Sequence, residues 1–135
     1  MAKTIKLQII TPTRTILDEE VESLILSTTE GDMGVFYDHE PVVALLGYKK
    51  VTYKQEGKKK YATTLGGFVE VTKDRVTILT DASELQDEID IERAKRAKER
   101  AEKRLADKSD GIDHLRAEIA LKKAIARINL KEGKY

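Results

Sequence analysis

The chain changes its period once, at Asp81, and no other feature constrains the fold as much. From Lys3 to Thr80 apolar and polar residues alternate with period two, as half-buried strands require. Ile5, Leu7 and Ile9 point one way, and Lys6 and Gln8 the other. Further strand segments lie around Thr15 to Leu17, Val21 to Ser27, Val42 to Leu46, Val51 to Gln55, Lys60 to Leu65, Phe68 to Thr72 and Val76 to Thr80. Gln55-Glu56-Gly57 and Lys73-Asp74-Arg75 are short enough for hairpin turns, and Gly66-Gly67 gives backbone freedom where a side chain would clash. Gly31 and Gly34 read as turn glycines. Many short strands at this spacing favour a sandwich or a barrel.

After Asp81, Val and Thr nearly vanish, and Ala, Glu, Lys and Arg run without proline to the end, which is helix composition. Ala94, Ala97, Ala101 and Leu105 form one apolar stripe; Ala117, Ala120, Leu121, Ala124, Ile125 and Ile128 form a wider one. The loop signal Asp107-Lys108-Ser109-Asp110-Gly111 folds the two helices back as an antiparallel hairpin. Alanine seams bury little apolar area, so hairpin closure is expected to be marginal at about 25 cal/mol per Å². The linker DASELQD, Asp81 to Asp87, holds no proline and suits a hinge as well as a plain connection. The class is α+β, with a strand domain over 1–84 and a helical hairpin over 85–135.

Charge divides along the same boundary. Residues 1–84 carry 11 Lys and Arg against 13 Asp and Glu, whereas residues 85–135 carry 14 against 11. In the first helix Arg93, Arg96 and Arg100 lie three, four and seven apart, hence on one side, where they repel unless something acidic neutralises them. The antiparallel hairpin brings Arg127 opposite Arg93 and Lys123 nearer Arg100. Together with the positive end of the helix dipole, four cations there would favour a polyphosphate. The alternative is a solvated basic face, each Arg snorkelling or paired with Glu92, Glu99, Glu102 or Glu118. Asp90 reads as the helix N-cap, with a second role open to it as acceptor from an exocyclic amine of a ligand.

Other functions fit poorly. With no cysteine there is no thiolate site or disulfide, and His39 and His114 show neither metal-ligand nor nucleophile–base spacing; His39 is expected to order its loop. The pattern points to no catalytic residue, no metal site and no P-loop. Nucleic acid is disfavoured because the hairpin lacks stacking aromatics apart from Tyr135 and its basic surface is diluted by Glu and Asp. The amino terminus lacks a signal-peptide apolar run, and no window approaches the roughly 20 apolar residues of a membrane span. A water-soluble protein without direct membrane insertion is expected.

Three segments carry a resemblance: EGDMGVFYDHEP at 30–41, LGGFVEVTKDRVTILTDASE at 65–84, and IDIERA at 89–94 followed by KERAEKRL. In order, they resemble the epsilon subunit of the bacterial F-type ATP synthase. The resemblance implies an antiparallel β-sandwich of about ten strands, seated against the gamma subunit and the ring of membrane subunit c at the cytoplasmic face of the membrane. Asp32 and His39 match the surface turned toward that ring, although Tyr37-Asp38 stands where the family usually has Pro-Gly. It further implies a mobile hairpin, which leaves the motor free when folded down and blocks ATP hydrolysis when extended toward the catalytic beta subunit. Glu84, Ile89, Asp90 and Ala94 match the adenine and ribose side of the family's ATP site. Arg93, Arg100 and Arg127 match its phosphate side, with Lys123 where some members have Arg. ATP would be a regulatory ligand, not hydrolysed, and Mg²⁺ stays open as its companion.

Overall fold

A computed structural model describes residues 3–109 and 111–135. Eight strands precede the hairpin: β1 (Ile5–Ile10), β2 (Thr15–Val21), β3 (Ser23–Thr28), β4 (Gly31–Val35), β5 (Val42–Gln55), β6 (Lys58–Leu65), β7 (Phe68–Val71) and β8 (Arg75–Leu79). The outward parity of β1 is as expected, with Ile5, Leu7 and Ile9 fully buried in the sandwich core beside Leu24, Leu26, Val69 and Ile78.

The strand count falls short of ten, and β5 explains much of the difference. Val42 to Leu46 and Val51 to Gln55 are one strand that serves both layers. Its first residues pair with β7, from Val42↔Val71 to Leu45↔Phe68, and its later ones pair with β3 and β6. Between Leu46 and Val51 the register slips: two steps of β3, Leu26 to Thr28, face five of β5. Such a bulge bends a strand and changes which side its residues face. Ala44 and Leu46 therefore point inward before it, and Val51 and Tyr53 after it. β4 is an addition to the expected list, because Asp32 and Met33 pair with Ser27 and Leu26 despite the glycines on either side. All strand pairs are antiparallel except β1 with β8, which is parallel.

The β5–β6 turn is as tight as the sequence implies. Glu56 and Gly57 both take positive φ, 51° and 77°, and Gln55 pairs directly with Lys58. This is the type I′ geometry that matches strand twist. At Gly67 (φ +91°) a Cβ would meet the Leu79 carbonyl oxygen at 2.1 Å, so only glycine lets β7 pass that close.

The linker is not the free hinge that DASELQD allowed. β6 pairs β5 along one edge, and the linker occupies its other edge. Leu65 N donates to Ala82 O (3.1 Å), Thr63 N donates to Glu84 O (2.9 Å), and Ala62 bridges Leu85. Unsatisfied edge amides explain the pinning. Any pivot lies beyond Leu85, where a single 3-10 turn (Gln86–Glu88) leads to helix α1 (Ile91–Ala106).

Helix α2 (His114–Lys131) returns from a loop that includes Ser109 and Gly111; Asp110, assigned to that loop, lies outside the described residues. Asp90 caps α1 by accepting from Arg93 N at 3.1 Å, and Asp113 caps α2 in the same way from Arg116 N at 3.0 Å. Ala94 and Ala101 meet Ala117 and Ala124 in the seam. The α2 stripe differs from expectation: Ala120 and Ile125 are exposed, while Ala126 and Leu130 are buried. The cause is that α2 has two neighbours, α1 and the β5–β6 face of the sandwich, and residues four apart share the second face.

Candidate functional site: the foot of the docked hairpin

The start of α1 and the end of α2 lie together beside the linker; of the eight residues matched to an ATP site, Glu84, Ile89, Asp90, Arg93, Ala94 and Arg127 belong to this foot, whereas Arg100 and Lys123 lie at the middle of their helices. Ile89 and Ala94 are buried. Asp90 uses Oδ1 as the helix cap. Arg93, Arg96 and Arg100 are exposed along α1, and Lys123 is half-buried on α2.

Among the described residues the ion pairs within 4.0 Å are Lys6–Asp18, Arg14–Glu88, Arg127–Glu84 and Lys134–Glu132. None involves Arg93, Arg96, Arg100 or Lys123, so the alternative pairing with Glu92, Glu99, Glu102 or Glu118 is not formed. Arg93, Arg96 and Arg100 are exposed, as in the solvated basic face that the sequence allowed as the alternative, and only Arg93 lies in the first turn of α1, where the helix dipole is positive. The set fits an anion in charge.

Arg127 is different. Its Nε donates to Glu84 Oε2 at 2.7 Å, with both side chains largely covered. Glu84 is itself held, because its second oxygen accepts from Thr63 Oγ1 (3.3 Å) and its backbone N donates to the same hydroxyl (2.9 Å). A β6 threonine thus fixes a linker carboxylate, which fixes a hairpin guanidinium. The two residues matched to opposite sides of an ATP site are each other's partners here, so an anion would draw Arg127 only by competing with Glu84.

Glu88 ties the start of the hairpin to the sandwich. Its Oε1 accepts from Leu85 N (2.9 Å) and its Oε2 lies 3.0 Å from Arg14. The backbone donor first, and the guanidinium second, hold this carboxyl below the ordinary glutamate range.

Asp32 and His39 sit at opposite ends of β4. Asp32 is exposed near the β3–β4 turn, whereas His39 follows the strand and its Nδ1 bonds Glu40 O at 2.6 Å. Asp38 takes φ 68°, the left-handed conformation glycine adopts freely and aspartate tolerates, and its N–H donates to Lys73 O at 2.7 Å. Tyr37-Asp38 therefore keeps a backbone shape suited to glycine at 38.

Two features escaped the sequence. A groove of about 1200 Å³ runs between β5 and α2, lined by Lys49, Lys50, Lys122, Leu130 and Tyr135 among others; none of the eight matched residues lines it. The second is an exposed apolar row on the outer side of the other layer. Leu45 pairs Phe68, Phe68 pairs Leu79, and Leu79 pairs Ile10, with Val43 two residues before Leu45. Val43 and Leu45 are 66% and 64% exposed, and Phe68 is 41% exposed. The signal was available: Val42 to Leu46 is apolar on both sides, where a solvated strand would alternate.

Comparisons with known proteins agree with this architecture. The chain matches a family described as the ATP synthase delta/epsilon chain β-sandwich domain over residues 4–86, and its long α-helix domain over residues 87–132. It is 46% identical to the ATP synthase epsilon chain of Symbiobacterium thermophilum, over 90% of this chain and 88% of that one. Identity to the epsilon chain of Desulforamulus reducens is 43%, over 98% and 100%. A chain in the Euglena gracilis mitochondrial ATP synthase structure (OSCP/F1/c-ring) superposes with TM-score 0.79 at 30% identity, covering 91% of this chain and 78% of that one. A chain of the Tetrahymena thermophila central stalk and c-ring shares the fold, with TM-score 0.59 and 12% identity over 98% of each.

Proposed function

The chain belongs to the epsilon-chain family of ATP synthases, a non-catalytic stalk subunit, and we propose that it couples the rotor to the catalytic head and restrains ATP hydrolysis through its hairpin. The apolar row Val43, Leu45, Phe68 and Leu79 takes the gamma subunit, since burial of so much exposed aliphatic and aromatic surface favours a lasting contact. The loop around His39, with Asp32, turns to the ring of subunit c at the cytoplasmic face of the membrane. No helix among the described residues is long and apolar enough to cross that membrane.

The observation that carries the regulatory part is the set Arg93, Arg100 and Lys123, free of ion pairs among the described residues and spread from the start to the middle of a hairpin docked by one face of one helix. In the docked form these cations hold ATP phosphates, with Asp90 on the base side; in the extended form they meet acidic surface of the beta subunit. ATP shifts the hairpin only by its preference for the docked form. Arg127 weakens that preference, because the nucleotide must share it with Glu84.

Calorimetric titration of the purified chain with ATP, with and without Mg²⁺, tests the site. Binding is expected to vanish in Asp90→Ala/Arg93→Ala, and unchanged affinity would remove the site. Deleting residues 88–135 is expected to raise ATP hydrolysis by the reconstituted motor while assembly persists; unaltered hydrolysis would remove the inhibitory role.

A further inference from the structure

The docked hairpin ends on a residue that no part of the site uses. After α2 the chain reverses at Gly133 (φ 75°), with Gly133 N donating to Leu130 O (3.2 Å) and Lys134 N to Asn129 O (2.8 Å). This pair of bonds is a Schellman cap, and it aims the terminal residue back at the sandwich. There the Tyr135 ring stacks on Tyr61 of β6, centroids 4.1 Å apart and planes within 7°. Lys50 Nζ lies 6.0 Å from the Tyr135 centroid. Gln86 Nε2 donates both to the Tyr135 hydroxyl (3.1 Å) and to Leu130 O (2.8 Å). Lys131 Nζ donates to Gln86 O at 3.2 Å.

The stack joins the moving part to a strand of the fixed part, and the Gln86 bond joins it to the turn at the pivot. The contact is also peripheral, since Tyr135 remains 61% exposed, so it can break without opening the core. We propose that Tyr135 is a clasp that holds the hairpin on the sandwich with no nucleotide bound. This rests on the reading of the hairpin as mobile and adds a ligand-independent bias to it. The consequence is a docked form favoured by a modest factor before any nucleotide binds, so that less nucleotide is needed to close the hairpin.

The absence of cysteine allows a donor–acceptor dye pair at Lys54→Cys and Arg104→Cys of the full chain, reporting hairpin position without ATP. Tyr135→Ala and Tyr61→Ala are each expected to raise the open-to-docked ratio about 2- to 12-fold, the range of an aromatic pair. The double variant should exceed either single one little, because both remove the same stack. Tyr135→Phe should keep most of the closure. Ala126→Asp, which puts a carboxylate into the buried α2–sandwich contact, is the positive control. If it opens the hairpin while the tyrosine variants do not, the hairpin moves but Tyr135 is not its clasp. Full additivity of the two tyrosine variants also overturns the clasp. If even Ala126→Asp leaves the labels close, the hairpin is fixed and the mobile reading falls with the clasp.

Discussion

Leu130→Ala tests whether the second face of α2 is what docks the hairpin. Leu130 is 1% exposed although it lies in the last turn of α2, and it sits four residues after buried Ala126 on the side toward β5 and β6. Truncating a fully buried leucine costs about 2–5 kcal/mol, with the low end where neighbours can relax inward. A helix laid on a sheet can settle, so about 2–3 kcal/mol is the working figure. At 1.4 kcal/mol per decade the docked-to-open ratio should fall roughly 30- to 150-fold. Amide hydrogen exchange reads this directly. Amides of Ala124 to Leu130 should exchange faster by that factor, because an undocked hairpin with alanine seams protects them little. Amides of Leu7, Ile9, Val69 and Ile78 in the sandwich core should not change. Equal acceleration of both sets would show that hairpin and sandwich open as one unit, and no acceleration in α2 would show that Leu130 anchors nothing.

Three further outcomes follow from local geometry. Glu56→Asn should stabilise the sandwich by a few tenths to about 1 kcal/mol, since Asn-Gly suits the two positive φ angles better than Glu-Gly, and thermal melting would show it as an upward shift. Gly67→Ala should cost more than about 3 kcal/mol or prevent folding, because its Cβ meets backbone rather than a movable side chain; a melting temperature near wild type would contradict the contact. Glu88, whose carboxyl titrates below the ordinary value of 4.5, stabilises the fold fully above that value, and the contribution fades as pH falls below it. Glu88→Gln should therefore lower stability at pH 7 more than at pH 3 in denaturant titrations.

What could be read from the sequence, and what could not, follows the range of the interactions. The cap at Asp90, the turn at Glu56-Gly57 and the seam alanines are local signals, and each was legible within four residues. β4 was not, because an edge strand begun by Gly31 and interrupted by Gly34 has low intrinsic propensity and exists through pairing with β3. The two halves of β5 read as separate strands because the bulge reverses which residues face inward. The unneutralised arginines of α1 were visible as a charge pattern. The Arg127–Glu84 pair spans 43 residues and depends on the linker being held along β6, so no spacing rule announces it.

That pair also changes how the foot of the hairpin works. A guanidinium committed to a carboxylate is not a free phosphate ligand, and both groups are mostly covered, so separating them without replacement leaves two desolvated charges. An incoming polyphosphate can replace Glu84 at Arg127 without leaving that carboxylate short of a partner only if Glu84, beyond the donor it keeps from Thr63, gains another from the ligand, such as the exocyclic amine of adenine. The same exchange distinguishes a nucleotide from a bare polyphosphate. Inorganic triphosphate supplies the charge but no donor for Glu84, so it should bind more weakly than ATP in the wild type. In Glu84→Gln, which frees Arg127 and removes the orphaned charge, the difference between the two ligands should narrow; a gap as wide as in the wild type would show that Glu84 takes no part in binding.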